Sequence, residues 1–165
     1  MDEILKKRRT LQETMNFMAA LSAGIEPILG RGANSMTMSA GRNLGRKFSQ
    51  EAKQTEDLLE AIDEVREILV QNNCLWGFEP FKPASQKEMI TIDENGQSQV
   101  QLVFRDCMIR QTLFRFGHPQ EGSLCNMMYG FFAGALGNIM GRKATLEIQH
   151  AGENACLKVL TVEGK

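Results

Sequence analysis

A chain of 165 residues holds one ordinary domain with room for a helical arm, and it can bury roughly 70% of the surface its unfolded form exposes without disulfide or metal staples. Apolar residues at 42% and charged residues at 24% exclude a disordered chain. Nineteen Lys and Arg against twenty Asp and Glu leave a net charge of −1, which excludes the cationic excess of a dedicated nucleic-acid binder.

The first helix is expected over Glu3 to Leu21, where Ile4, Leu5, Leu11, Met15, Met18 and Leu21 recur at helical spacing. Its opening Met1-Asp2-Glu3 carries acids where a signal peptide carries bases, and no apolar run follows, so a cytoplasmic protein is expected. The run Lys6-Lys7-Arg8-Arg9 is either a solvated face or a contact for an anionic partner. Pro27, Gly30 and Gly32 predict a break over Gly24 to Gly32.

A second helix is predicted over Asn34 to Ala52. Gly41 and Gly45, four apart, imply close approach of a neighbouring element. A third begins near Thr55 as N-cap, buries Leu58, Leu59, Ile62, Val65, Ile68 and Leu69, and closes at Asn72-Asn73. Leu75 to Phe81 then reads as a strand, ended or placed at an edge by Pro80. Met89–Ile92 and Val100–Phe104 flank Asn95-Gly96, a strong hairpin signal because both residues tolerate positive φ. Thr145–Ile148 and Leu157–Leu160 flank Ala151–Asn154 as a second hairpin. The expected class is α+β: N-terminal helices, then an antiparallel sheet of roughly four strands with a Gly-rich helix inserted between two hairpins. Residues 1–165 form one ligand-binding-type domain, with 1–23 a helical arm available for dimerisation.

The inserted helix, Leu124 to Met140, is shorter than the about 20 apolar residues a membrane span needs and contains Asn126 and Asn138, so membrane insertion is not expected. Gly130, Gly134, Gly137 and Gly141 share one narrow face of it. Four glycines weaken a helix by roughly 3–4 kcal/mol relative to Ala, and something must offset that. Close packing against a second subunit or the sheet would do so, as would a role as one wall of a hydrophobic pocket.

Four cysteines, at 74, 107, 125 and 156, form no CxxC pair and are expected as thiols or metal ligands rather than a disulfide framework. Cys125, Glu147, His150 and Cys156 make a spacing that no standard zinc finger has; two buried thiols, a surface Glu and a hairpin His is the alternative. His150 and Cys156 would meet across the second hairpin. Glu147 and His150 differ by three, so a bulge or twist is needed to bring them to one face.

The stretch from Ser123-Leu-Cys-Asn-Met-Met-Tyr-Gly through Glu147-Ile-Gln-His-Ala-Gly to Cys156 resembles the C-terminal signature of the 4-vinyl reductase domain family. Ser39 to Phe48 and Leu75-Trp76-Gly77 are similar to its upstream half more loosely. That family includes the aromatic-sensing domains of bacterial phenol- and toluene-responsive activators, and its fold is similar to that of transport-particle (TRAPP) subunits. The resemblance implies a structural zinc held by Cys125, Glu147, His150 and Cys156, with His150 where the sensors carry Cys, next to a small aromatic-ligand pocket.

Candidate pocket residues are Trp76, Phe78, Phe104, Tyr129 and Phe132; Trp76 and Tyr129, the sole Trp and Tyr, add a polar tip to an apolar body. Ordinary core is the other reading of each. Catalysis finds little support: His118 with Cys107 or Cys125 has no supporting spacing, and phosphate-loop, nucleophile-elbow and metalloprotease motifs are absent. The expected function is a hydrocarbon-binding sensor or carrier for a hydrophobic or aromatic ligand. It would act as a homodimer, with a protein effector partner to receive any signal. A non-catalytic scaffold subunit like the transport-particle proteins, or an accessory protein in tetrapyrrole synthesis, is the alternative.

Overall fold

A computed structural model describes residues 2–74, 76–105, 107, 109–110, 113, 121–152 and 154–164. Among them lie four helices and a five-stranded antiparallel sheet, the expected α+β class with one strand more than expected.

Helix α1 spans Asp2–Leu29 and ends inside the predicted break. Pro27 sits in its last turn, where the missing N–H forfeits a single hydrogen bond. The chain turns instead at Gly30, whose φ of 52° suits a residue without a side chain. Helix α2 spans Arg31–Phe48 and α3 spans Leu58–Gln71. Asp57, not Thr55, caps α3: its carboxylate accepts from the Glu60 N–H at 2.9 Å, while Thr55 bonds the Glu60 side chain.

The predicted strand from Leu75 narrows to β1, Glu79–Phe81; Trp76 makes only a single bridge, to Cys107. Strands β2, Ile90–Ile92, and β3, Ser98–Phe104, form the first hairpin around Gly96 at φ 75°. Helix α4, Ser123–Met140, leads to β4, Ala144–Ala151, and β5, Cys156–Val162, the second hairpin. The sheet order is β1-β3-β5-β4, with β2 beside β1 along the same edge of β3. Every pairing is antiparallel, and β3 meets β5 in unbroken register from Ser98↔Val162 to Phe104↔Cys156.

Helix α4 lies between α2 and the sheet, and it is buried on nearly every side. Two of the four glycines in its row, Gly130 and Gly134, answer to α2, while Gly137 and Gly141 do not. A methyl group on Gly130 would lie 2.0 Å from the Met38 carbonyl oxygen, and one on Gly134 2.1 Å from that of Arg42. Gly41 and Gly45 reciprocate against the carbonyls of Met127 and Phe131. Contacts advance along both chains together, so the helices run parallel with backbones touching.

Helix α1 is anchored near its C-terminal end. Glu26 Oε1 accepts from the Ser123 N–H at 2.7 Å, placing a carboxylate at the N-terminus of α4 where the helix dipole favours it. The Ser22 and Ser123 hydroxyls share a buried hydrogen bond of 2.7 Å. Elsewhere α1 leaves Ile4, Leu5, Phe17 and Ile28 exposed. Among the described residues no helix is long and apolar enough to cross a membrane.

Candidate functional site: an apolar cavity beside Trp76

Between α1 and the N-terminal half of α4 lies a cavity of about 210 Å³. Leu11, Met15 and Met18 of α1 form one wall; Leu124 and Met127 of α4 and Trp76 face them. The lining is almost wholly apolar, and Met supplies much of it, a side chain that adapts to irregular shapes. Cavities of about 150 Å³ accept benzene, so a single-ring aromatic fits. Trp76 packs edge-on against Phe131 at 5.5 Å between ring centroids. Its indole N–H is buried and has no acceptor among the described residues. A buried unpaired donor costs about 1–3 kcal/mol.

The other predicted pocket aromatics lie elsewhere. Phe78, Phe104 and Phe132 form one packed cluster, with centroids 5.0 to 5.8 Å apart. Phe104 and Phe132 are fully buried. Their contacts are those of core. Phe131, which holds Trp76 in place, was not singled out by sequence; its position beside Gly130 on the α4 stripe is the signal that could have found it.

Tyr129 turns towards β5. The Lys158 amino group donates to its hydroxyl at 3.3 Å and sits 4.5 Å from its ring centre and 5.3 Å from that of Phe104. Lys158 is 1% exposed. Burial, and then the Cys125 thiol, push the Tyr129 hydroxyl well above its ordinary range, so it serves as a neutral acceptor. Sequence reasoning missed Lys158. Its signal is the alternation Cys156, Lys158, Leu160, Val162, which puts a lysine on the inward face of β5.

The predicted metal residues divide between two faces. Cys125 and Cys156 are buried, their thiols pushed up first by burial, and with Cys107 they are near enough to influence one another and to feel Lys158. Glu147 and His150 are exposed on β4. A bulge between Ile148 and His150 does place those two on one face, paired with Val159 and Leu157, but that is the face opposite Cys156 and Lys158. In this arrangement the four do not form a tetrahedral set. Among the described residues no group of three or more His, Cys, Asp or Glu is placed to hold a metal ion. His118 lies outside the described residues.

No protein-family model matches this chain, and no curated protein does. Among solved structures it is similar to the crystal structure of the phenol-responsive sensory domain of the transcription activator PoxR with phenol. The TM-score is 0.64 at 17% identity, over 90% of this chain and 73% of that one. The likeness is one of fold.

Proposed function

We propose that this chain is a small-molecule-binding sensor or carrier domain whose ligand is a single-ring aromatic bearing one hydroxyl or carbonyl. The apolar, Met-lined cavity walled by Trp76, whose buried indole N–H has no acceptor among the described residues, carries the reading. The shared fold with a phenol-responsive domain, and the resemblance of Ser123 to Cys156 to the 4-vinyl reductase domain family, support it.

Calorimetric titration with phenol and toluene tests it, since the two match in size and differ in the oxygen. Both are expected to saturate. Replacing Trp76 with Phe is expected to lower the phenol-to-toluene affinity ratio about tenfold, the worth of one buried hydrogen bond. A ratio that does not move, or a failure of either compound to saturate, would overturn the proposal.

The chain also acts as a homodimer in this reading, because Phe17, Leu21 and Ile28, exposed along one face of α1, leave it with an uncovered apolar surface. Native mass spectrometry is expected to give a dimer, reduced to a monomer by Phe17→Asp with Ile28→Asp. A wild-type monomer would remove the dimer from the proposal and with it a transport-particle-like scaffold role. One zinc per chain, lost on Cys156→Ser, would support zinc binding by Cys125, Glu147, His150 and Cys156; it would require the β4–β5 hairpin to turn its outer face inward.

A further inference from the structure

A second hollow, of about 520 Å³, opens where α2 and α4 both end, and it shares no lining residue with the aromatic cavity. Its walls carry Arg42 and Arg46, one turn apart on α2, and Arg142 and Lys143 in the turn that follows α4. Its floor includes Gly137 and Gly141, which present no side chain to an incoming group.

Three of these cations, Arg46, Arg142 and Lys143, lie at helix C-termini and have an ordinary explanation, since basic residues there offset the helix dipoles. The magnitudes show that this leaves a remainder. Each helix end carries about half a negative charge, so the two parallel helices account for about one cation. Lys143 pairs with Glu163 at 3.3 Å, which accounts for a second. Arg42 and Arg46 have no carboxylate partner among the described residues. Arg142 is held by two carbonyls, Nη1 donating to Glu163 O at 3.3 Å and Nη2 to Glu56 O at 3.0 Å. These fix the plane of its guanidinium without neutralising it, and among the described residues three of its five N–H donors have no partner. About two positive charges remain in a concave site on rigid elements.

We propose that this cleft binds a phosphorylated ligand carrying two or more negative charges, with Arg42, Arg46 and Arg142 as its donors. Two guanidinium forks one turn apart on one wall of the hollow, with Arg142 also in its lining, suit the several oxygens of a phosphate better than a single carboxylate. A soluble phosphate compound and a lipid headgroup offer this same chemistry.

Titration of the full chain with inorganic pyrophosphate, and co-sedimentation with phosphatidylcholine vesicles containing phosphatidic acid, separate the two sources. Saturable binding that weakens with added salt is expected in at least one of them. Pyrophosphate alone assigns a soluble ligand, and vesicles alone assign a headgroup. Arg42→Glu with Arg46→Glu, both exposed positions, is expected to lower affinity about a hundredfold at unchanged melting temperature, at about tenfold for each charged hydrogen-bond donor. Arg8→Glu with Arg9→Glu on α1 changes the charge equally and is expected to leave binding intact. The proposal is overturned if neither probe binds, or if the α1 control loses as much as the cleft variant. Phenol and toluene affinities are expected to stay unchanged throughout, so failure here and failure of the aromatic site read out separately.

Discussion

Gly41→Ala is expected to destabilise the protein by about 3 kcal/mol, while Gly32→Ala in the same helix is expected to stabilise it by about 0.5–1 kcal/mol. The two substitutions are chemically identical, and both gain the same helix propensity. They differ in what the added methyl meets. At Gly32 nothing lies within 4 Å; at Gly41 the Met127 carbonyl oxygen lies 2.0 Å away and its carbon 2.9 Å away. Those atoms are helix backbone and cannot rotate aside, so α2 and α4 must separate, and the separation is shared by Gly45, Gly130 and Gly134. Gly137, whose nearest neighbour is the Arg142 carbonyl oxygen at an ordinary 3.7 Å, is expected to side with Gly32. Thermal melts would show a fall of about 10 °C for Gly41→Ala and a small rise for the other two. A rise in all three would mean that the α2–α4 contact does not hold the fold as described.

That contact was half legible. The spacings 41/45 and 130/134 announce faces without side chains, but a glycine row says only that something comes close, and the identity of the neighbour depends on the path of the chain between Phe48 and Ser123. The hairpins were legible because their signals are local: Asn95-Gly96 supplies its own turn, with Asp93 Oδ1 accepting from the Asn95 and Gln97 N–H groups at 2.9 Å each. The break after α1 was legible for a local reason too, since Gly30 supplies the positive φ that ends the helix three residues past Pro27. The site divided along the same line. Trp76 was picked out for its polar tip, and it does line the cavity. The opposite wall comes from Leu11, Met15 and Met18, 58 to 65 residues away, whose spacing reads as a plain helical stripe. For Glu147 and His150, the bulge that a shared face requires is present, yet whether that face is inward depends on the burial of Leu146 and Lys158.

Lys158→Met is expected to raise stability by about 1–4 kcal/mol, as replacing a buried ion by an apolar side chain of similar volume often does. The inward row of β5 demands apolar residues, and its neighbours across the ladders are Leu102 and Ile148. Burying an ammonium costs several kcal/mol. Against that stand one hydrogen bond to Tyr129, worth about 1.5–3 kcal/mol for a charged donor, and cation–π contacts of about 2 kcal/mol when desolvated. Among the described residues no carboxylate adds to them. Cys125 and Cys156 do not close the gap, because burial holds both thiols towards their neutral form. Tyr129→Phe should then cost about 1–3 kcal/mol in the wild type, and beside Lys158→Met, where the hydroxyl has lost its donor, it should cost nothing or stabilise. The tyrosine supplies its own optical check. With its folded-state value raised, the sole tyrosine should remain un-ionised past pH ~10, and the stability it contributes, complete below the unfolded value, should fall as pH rises beyond it. If Lys158→Met instead lowers the melting temperature, the ammonium must face a negative charge in solution. Three neighbouring thiols, at Cys107, Cys125 and Cys156, would then be the first place to look for it.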